Sequence, residues 1–537
     1  MKHKLTMISN RPQQRNFVKY CLLLFFVLHS TFYICKAQTT NRVELPVLRG
    51  SDTYHTISLG ASGVLLITQL DRNSFVLQKF NTDLTIDWRH DLSIENGLDF
   101  IKSSYDGRSV YLLFSRSRTD FYQVVKVNIG PGYVENFYLT AIERFEISNF
   151  ETLGYSVYMA GTVRNEPLLL YTNLLNKQSK VLPGVSMANT VIQSLEADTV
   201  HHIVNVCFAA RKGREIKLVS KSFDELGQAV GQVMIEPEPD YSLVNGRLFI
   251  INDSTKMMIG TYGFRNMQGS GSSNSASQGV FVSKILFDEV EFTQYHSFTD
   301  FKNFFSFMTD RQRERMERRI ERRKEDGNDV KLNYQLLVHN IVPQGDNFLI
   351  TADVFYPEYR NNNNSIYGMN SFMSPFMSPL MFGRFSSIYN PNMYSPFYNS
   401  GRNNNGQIFA GFNYTHAIVT LFDKDGKVLW DNSLPFENVK SMELKEKTKV
   451  KVNVDGSVAL SYSNNGVIVS KTFENSTPVI DKKTVTITTE DSNDKVRNTS
   501  TDDVLYWFGN YYLAYGFQKI AGADGRRNVF YMNKIAF

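Results

Sequence analysis

FNTDLTIDW, residues 80–88, decides the fold, because it returns far along the chain as FDKDGKVLW, residues 422–430. A Phe, an Asp (Asp83 and Asp425) and a Trp keep the same register in both copies. Weaker copies begin at Phe223, Phe287 and Phe473. Each copy follows an apolar strand and consists of a polar turn and a second strand. The chain is therefore predicted to be a repeat protein whose unit is one blade of a β-propeller.

A lysine near the end of the apolar strand accompanies most of these units. The lysines are Lys79, Lys126, Lys221, Lys284, Lys471 and Lys534. Where no insertion intervenes, these strands end roughly 44–52 residues apart, which is a normal length for a four-stranded blade. Aromatic residues make up 13% of the 537 residues and charged residues 21%, as expected for many short buried strands. We predict an all-β chain with eight blades, and seven blades as the alternative.

The two ends of the chain predict how the ring closes. The C-terminal stretch NVFYMNKIAF, residues 528–537, is a third strand, so the last blade lacks its outer strand. The stretch RVELPVL, residues 42–48, belongs to no blade of its own. Since unpaired sheet edges are costly and prone to aggregation, we expect residues 42–48 to supply the missing strand.

The N-terminal residues 1–37 have the pattern of a signal peptide. A basic segment without acids precedes a 15-residue apolar run, residues 21–35, and Ala37 provides a small residue for cleavage. The apolar run is shorter than the roughly 20 residues that a membrane span requires, so a retained anchor is the alternative. Residues 38–537 are predicted to form one propeller domain, exported to the periplasm or cell surface of a Gram-negative bacterium.

Cleavage changes the charge and the cysteine content. Removing the six basic residues of 1–37 from a chain of net charge +5 leaves −1, which gives no reason to expect a nucleic-acid partner. Cys207 is the one cysteine that remains, so no internal disulfide is possible and the exported fold depends on packing.

Blade six is predicted to contain two insertions, and the first, residues 300–331, is rich in Arg and Glu. It lacks β alternation and Pro, so we expect a helix of about 20 residues that ends before Gly327. The expected apolar stripe consists of Phe301, Phe305, Met308, Met316 and Ile320. This pattern is typical of a helix lying across the ring, and docking of a partner is the alternative.

The second insertion, residues 361–412, is rich in Asn, Met, Ser, Pro and aromatic residues and is almost free of charge. It is either a poorly ordered excursion or an adaptable contact surface, since Met and aromatic side chains together suit recognition. The candidate partner-binding residues are Phe372, Met373, Phe376, Met377, Phe382, Phe385, Tyr389, Tyr394, Phe397 and Tyr398. The expected partner is an envelope protein, a glycan or a membrane surface.

Catalytic patterns are sparse. No HExxH, GxSxG or CxxC motif occurs, and no metal or cofactor is predicted. DKDG, residues 423–426, is predicted to be a hairpin turn with a left-handed Gly. Asp353, Glu358 and His416 flank the second insertion and are weak candidates for general acid–base hydrolysis.

The segment FDKDGKVLWDNSL, residues 422–434, resembles the outer hairpin of quinoprotein and WD40-like propellers, in which an Asp, a turn Gly and a Trp recur. The Trp is kept only as Trp88 and Trp430, and Leu84 stands where the turn Gly is expected. The resemblance implies the fold and no redox chemistry. The mature chain, with residues 414–433 after a long insertion, is also similar to a group of uncharacterised exported proteins of Gram-negative bacteria, which implies no particular activity.

These features support two hypotheses of function. The first is a non-enzymatic envelope propeller that acts as an interaction scaffold through its blade-six insertions. The alternative is a secreted propeller hydrolase or lyase that acts on polysaccharide. A pocket on the ring axis lined by several carboxylates would favour the enzyme.

Overall fold

The computed structural model of this chain consists mainly of eight antiparallel sheets, and in all but one of them the strands follow one another in sequence. The structure describes residues 39–47 and 53–536, apart from residues 117–118, 165, 185–188, 268–275, 333, 340, 362–406, 443, 492 and 524. The signal-peptide prediction and the ten candidate partner-binding residues lie outside the described residues.

Strand β1 (Thr39–Pro46) belongs to the last blade, and blades one to four follow it in order. Blade one comprises β2 (Thr53–Ser58), β3 (Val64–Gln69), β4 (Ser74–Phe80) and β5 (Ile86–Ser93). Blade two comprises β6 (Asp99–Tyr105), β7 (Ser109–Ser115), β8 (Phe121–Asn128) and β9 (Val134–Thr140). Blade three comprises β10 (Glu146–Leu153), β11 (Ser156–Val163), β12 (Glu166–Asn173) and β13 (Ser179–Val181). Blade four comprises β14 (Thr190–Asp198), β15 (Ile203–Lys212), β16 (Glu215–Asp224) and β17 (Ala229–Ile235).

Blades five to eight continue the pattern. Blade five comprises β18 (Tyr241–Ile250), β19 (Thr255–Phe264), β20 (Gly279–Leu286) and β21 (Glu289–Ser297). Helix α1 (Asp310–Glu325) follows, and blade six comprises β22 (Gln335–Val338), β23 (Val342–Gln344), β24 (Asn347–Asn361), β25 (Gln407–Phe422) and β26 (Val428–Ser441). Blade seven comprises β27 (Lys449–Val452), β28 (Val458–Asn464), β29 (Val467–Glu474) and β30 (Thr477–Thr486). Blade eight comprises β31 (Lys495–Phe508), β32 (Tyr511–Gly522), β33 (Gly525–Ala536) and β1.

The protein is thus an all-β, eight-bladed propeller, and the prediction of eight blades is confirmed. The predicted closure is confirmed as well, because β1 pairs antiparallel with β33, with Val43 opposite Met532 and Pro46 opposite Val529. Buried Arg42 fastens this joint, since its guanidinium donates to the side-chain oxygens of Asn533 and Gln518, each at 2.8 Å. Both ends of the chain therefore share one sheet, and the blade keeps no unpaired third strand.

The core lies between blades. Leu65 and Leu77 of blade one, for example, share one cluster with Val110 and Leu112 of blade two. Middle strands such as β7 are buried along their whole length, because neighbouring blades cover both faces of the sheet. Outer strands such as β5 are largely exposed. This gradient explains why apolar runs mark the second and third strands of each blade in the sequence.

The repeated lysines hold the exposed outer strands. Lys79, Lys126, Lys284 and Lys471 pair with Asp87, Glu135, Glu291 and Asp481 at 2.8–3.2 Å, each on the outer strand of the same blade. Lys534 instead reaches Asp83 of blade one at 3.1 Å, so the Asp of the repeat motif contacts the closing blade. In blades one, two, five and seven, the repeated Lys in the sequence therefore marks an ion pair that attaches the outer strand to the third strand of its blade.

The repeated tryptophan links one blade to the next. The indole N–H of Trp88 donates to the Ile129 carbonyl of blade two at 3.1 Å. Its ring lies against Gly132, where a Cβ atom would come within 2.9 Å of the ring. Gly132 also has φ +76°, so glycine is required there for two reasons.

Helix α1 confirms the helix predicted in the first insertion. Gly327 follows it with φ +66°, a left-handed conformation that ends helices, as the sequence indicated. The predicted apolar stripe is partly wrong, because Phe301, Phe305 and Met308 precede the helix. The aromatic residues before it fill the space beside the blade-six sheet, whereas Ile320 is the one buried residue of the helix itself. No helix within the described ranges has the length and apolarity that a membrane crossing requires.

Candidate functional site

Blade six departs from the other blades at the end of its central hairpin. Strands β24 and β25 have 15 and 16 residues and remain paired as far as Asn361 and Gln407. Their neighbours stop earlier, since β22 reaches Phe355 and β26 reaches Phe412. The hairpin therefore continues past the sheet as a two-stranded ribbon, and residues 362–406 connect its two strands. We call residues 358–361 and 407–411 the blade-six ribbon.

Asp353 lies in the middle of β24 and is fully buried. One carboxylate oxygen accepts the backbone N–H groups of Lys447 (2.6 Å) and Thr448 (3.3 Å) and lies 3.1 Å from Nε2 of His339. Burial opposes ionisation, but the charge of His339 and these donors hold the pKa of Asp353 below its ordinary value. Asp353 thus fastens the segment between blades six and seven.

His416 is also fully buried, on β25. Asp353 faces Ala417 across the hairpin and His416 faces Val354, so the two candidates lie on opposite faces of one sheet. The His416 ring stacks on Phe307 at 4.3 Å and meets Phe304 edge-on at 5.1 Å. Burial lowers the pKa of His416 to about 3, so the ring is neutral at pH 7.

Glu358 is the third candidate, at the start of the blade-six ribbon, where it forms an ion pair with Lys440. Glu358 lies five positions after Asp353 along β24, which places it at the edge of the sheet and away from buried Asp353 and His416. The structure therefore does not bring Asp353, Glu358 and His416 together.

Charged residues from several blades meet instead near the ring axis, on or beside the innermost strands. Buried Arg247 of β18 pairs with Glu196 of β14 at 2.8 Å and with Glu446 at 3.6 Å. Lys445 pairs with Asp503 of β31 at 3.6 Å. We call these five residues, together with Glu151, Lys447 and Lys449, the axial cluster.

The axial cluster contains groups with displaced pKa values. Burial raises the pKa of Glu151 on β10 to about 7, against a hydrogen bond from the Ser104 hydroxyl at 3.1 Å, and the charge of Glu196 adds to the rise. Burial lowers the pKa of Lys447 to about 8, and Lys445 adds repulsion. Such displacements are frequent at functional sites and also occur in structural ion-pair networks.

Sequence reasoning did not single out the axial cluster. Its members come from five separate stretches of chain and form no local motif. The one feature of the sequence that could have indicated the axial cluster is a single charged residue inside an apolar strand, such as Arg247 in YSLVNGRLFI (Tyr241–Ile250). Within the described part of the chain, no three His, Cys, Asp or Glu residues are placed to hold a metal ion.

Comparison with known proteins finds similarity among solved structures. No family model and no curated protein sequence matches the chain. Among solved structures, the Dos1 propeller is similar at 10% identity and a TM-score of 0.37, covering 82% of this chain and 93% of that one. Prolyl oligopeptidase B from Galerina marginata is similar at 8% identity and a TM-score of 0.38, covering 87% of this chain and 55% of that one. A structure from a study of two prolyl endopeptidases is similar at 7% identity and a TM-score of 0.36. The similarity covers 82% of this chain and 50% of the endopeptidase chain.

Proposed function

We propose that this protein is a non-enzymatic scaffold that presents its blade-six insertions to an envelope protein, a glycan or a membrane surface. The observation that carries the proposal is the blade-six ribbon, which leaves the sheet and bears residues 362–406 at its end. The ribbon continues a firmly paired hairpin, so it is suited to hold the ends of the insertion beyond the edge of the sheet. The three acid–base candidates fit the same proposal, because they do not meet in one site: Asp353 binds backbone N–H groups, Glu358 pairs with Lys440, and the His416 ring packs on Phe307.

The experiment is affinity capture from envelope extract with three purified proteins. The first is the mature chain, the second replaces residues 362–406 by an Asn-Gly turn, and the third replaces helix α1 and its flanks, residues 309–327, by a glycine-serine linker. Equal melting temperatures of the first two proteins establish that the ring is intact. A partner lost only from the second protein supports docking at the ribbon. A set of captured partners that does not change contradicts it.

A further variant tests the chemistry of the contact. Changing Phe376, Phe382 and Phe397 to Ser keeps the length of the insertion and removes apolar surface. Loss of the same partner supports an apolar contact. Binding to lipid vesicles or to a glycan array by the unchanged chain then identifies a membrane or glycan partner.

Export is proposed on the sequence of residues 1–37. Expression of the full chain in a Gram-negative host, followed by fractionation and N-terminal sequencing, tests it. The expected product lies outside the cytoplasm and begins at Gln38. A cytoplasmic product that retains Met1 contradicts export.

The alternative, a polysaccharide hydrolase or lyase, is favoured by one observation, the pair of carboxylates Glu151 and Glu196 near the axis. A carboxyl group with a pKa of about 7 can act as a general acid at neutral pH. If the wild-type protein cleaves a polysaccharide, Glu151→Gln is expected to lower the cleavage rate by roughly 100-fold or more. Absence of cleavage across neutral and acidic polysaccharides from pH 5 to 8 counts against the enzyme.

A further inference from the structure

A cleft of about 800 Å³ lies between helix α1 and the end of blade five, and its lining includes no member of the axial cluster or of the blade-six ribbon. Its walls come from the turn after β15, the segment that leads into β18, the end of β19, one side of α1 and the chain that follows α1. The volume falls within the range of roughly 300–1,000 Å³ that is usual for ligand pockets.

The cleft is strongly basic. Five cations line it, Arg214, Arg265, Arg319, Arg323 and Lys331, against two acids, Asp240 and Asp329. Arg265 pairs with Glu215 at 2.6 Å. The other four cations make no ion pair with any residue that the structure describes.

The positive charge of the cleft is only partly balanced by the two acids that line it, and a negatively charged ligand would balance the rest. Arg319 and Arg323 lie one helical turn apart, and like charges at that spacing destabilise a helix. Arg214 and Lys331 reach the same cleft from separate segments of the chain. Several guanidinium groups that face one space favour a ligand with carboxylate or phosphate groups, which arginine binds in a bidentate manner.

The remaining walls narrow the class of ligand. Tyr241 and Phe264 supply aromatic surface, with ring centroids 6.0 Å apart. Asn266 and Asn328 offer amide groups beside Asp240 and Asp329, and these four side chains suit hydroxyl groups. A densely charged polyphosphate would meet repulsion from the two acids, whereas a sugar chain spaces its anions apart. We infer that this cleft binds an acidic oligosaccharide whose sugars carry carboxylate or phosphate groups.

The inference does not rest on docking at the blade-six ribbon. The variant that replaces residues 362–406 keeps every residue that lines the cleft, so each proposal is tested by its own variants.

Calorimetric titration of the mature chain tests the inference with four probes: tetragalacturonate, a phosphorylated disaccharide, uncharged maltotetraose and tetraglutamate. The test variant is Arg319→Gln with Arg323→Gln. The matched control is Arg318→Gln with Arg322→Gln, a pair with the same spacing on the same helix that does not line the cleft. Gln supports a helix about as well as Arg, and circular dichroism of both variants verifies that they are folded.

At least one of the two acidic sugars is expected to bind. Comparing their affinities shows whether the cleft prefers carboxylate or phosphate groups. The test variant is expected to lose about tenfold or more in affinity, because it removes two guanidinium groups that can form charge-assisted hydrogen bonds to the ligand. The control variant is expected to stay within about twofold. The inference is overturned if neither acidic sugar binds, if both variants weaken equally, or if maltotetraose or tetraglutamate binds as tightly as the acidic sugars.

Discussion

At the scale of single residues, three interior histidines show how surroundings decide charge. Burial lowers the pKa of His416 to about 3 and that of His55 to about 4. His339 is equally buried, yet the negative charges of Asp353 and Glu446 outweigh burial and raise its pKa. Burial acts on all three rings, so residue type alone does not indicate that the pKa falls for two of them and rises for the third.

The first residue-scale prediction concerns pH. Because the folded pKa of His416 lies below its ordinary value of 6.5, the unfolded chain takes up a proton between pH 6.5 and 3 that the folded chain refuses. The stability linked to His416 is therefore complete above pH 6.5 and declines as the pH falls. His416→Phe, which keeps the stack on Phe307, is expected to flatten the decline between pH 6.5 and 4.5 in urea unfolding. The same change at exposed His90 should leave the slope as in the wild type, and an unchanged slope in His416→Phe would refute the prediction.

The second residue-scale prediction concerns Asp353. Asp353→Asn removes the charge that compensates His339 and weakens the bonds to the Lys447 and Thr448 amides. Breaking a buried pair on one side costs about 3–5 kcal/mol, so we expect the free energy of unfolding at pH 7 to fall by about 3 kcal/mol. Asp91→Asn, at an exposed pair with Arg89, is the control and should change it by less than about 1 kcal/mol. Equal effects of the two substitutions would contradict the structural role.

At the scale of elements, one turn shows a residue whose backbone conformation is set by packing and not by its intrinsic preference. Leu84 has φ +59° at a position where blade six uses Gly426 with φ +79°. Its side chain is buried with Trp507 and Phe530 of blade eight. The contact between blades compensates a backbone conformation that is unfavourable for leucine.

The element-scale prediction separates helix α1 from the segment before it. Phe304 is 1% exposed and stacks on Phe298 at 4.2 Å, so Phe304→Ala is expected to lower the free energy of unfolding by about 3–4 kcal/mol. Ile320 is the one buried residue of helix α1 and is smaller than Phe304, so Ile320→Ala is expected to have a smaller effect. Denaturation of both variants with urea measures the difference. A larger loss with Ile320→Ala would show that the helix, and not the aromatic segment, fastens the insertion.

At the scale of the whole molecule, closure depends on strands from both ends of the chain in blade eight. Thr39 lies opposite Ile535, so the start of β1 is adjacent to the end of β33. Opening the ring at this blade requires breaking a strand ladder as well as the packing between blades.

The whole-molecule prediction uses this adjacency. A circular permutant joins residue 537 to Thr39 through a short glycine-rich loop and opens the chain between Thr489 and Glu490, after blade seven. It is expected to fold with the same β content and to melt at a lower temperature than the chain beginning at Thr39, because packing alone then closes the ring. Thermal melting followed by circular dichroism tests this. A permutant that melts at the same temperature or higher would show that the shared blade adds nothing to stability.

The sequence by itself determined the eight blades, the positions of their middle strands, the closing strand and the end of α1. The middle strands and the end of α1 follow from local signals: an apolar run, turn residues at fixed positions, and a Gly after the helix. The closing strand follows from comparing the stretches 42–48 and 528–537, each of which lacks a partner within its own part of the sequence. The same signals located Asp353, Glu358 and His416 but not their surroundings.

Only the tertiary structure decided which side chains meet. Bulges between Val354 and Phe355 and between Tyr414 and His416 shift the register of the blade-six hairpin, and a shift of one residue moves a side chain to the other face of a sheet. The partners of Arg247 come from two other parts of the ring, and the basic cleft joins five separate segments. Contacts between residues of different blades depend on how the blades are arranged around the axis. The repeat pattern is local to each blade and therefore does not predict these contacts.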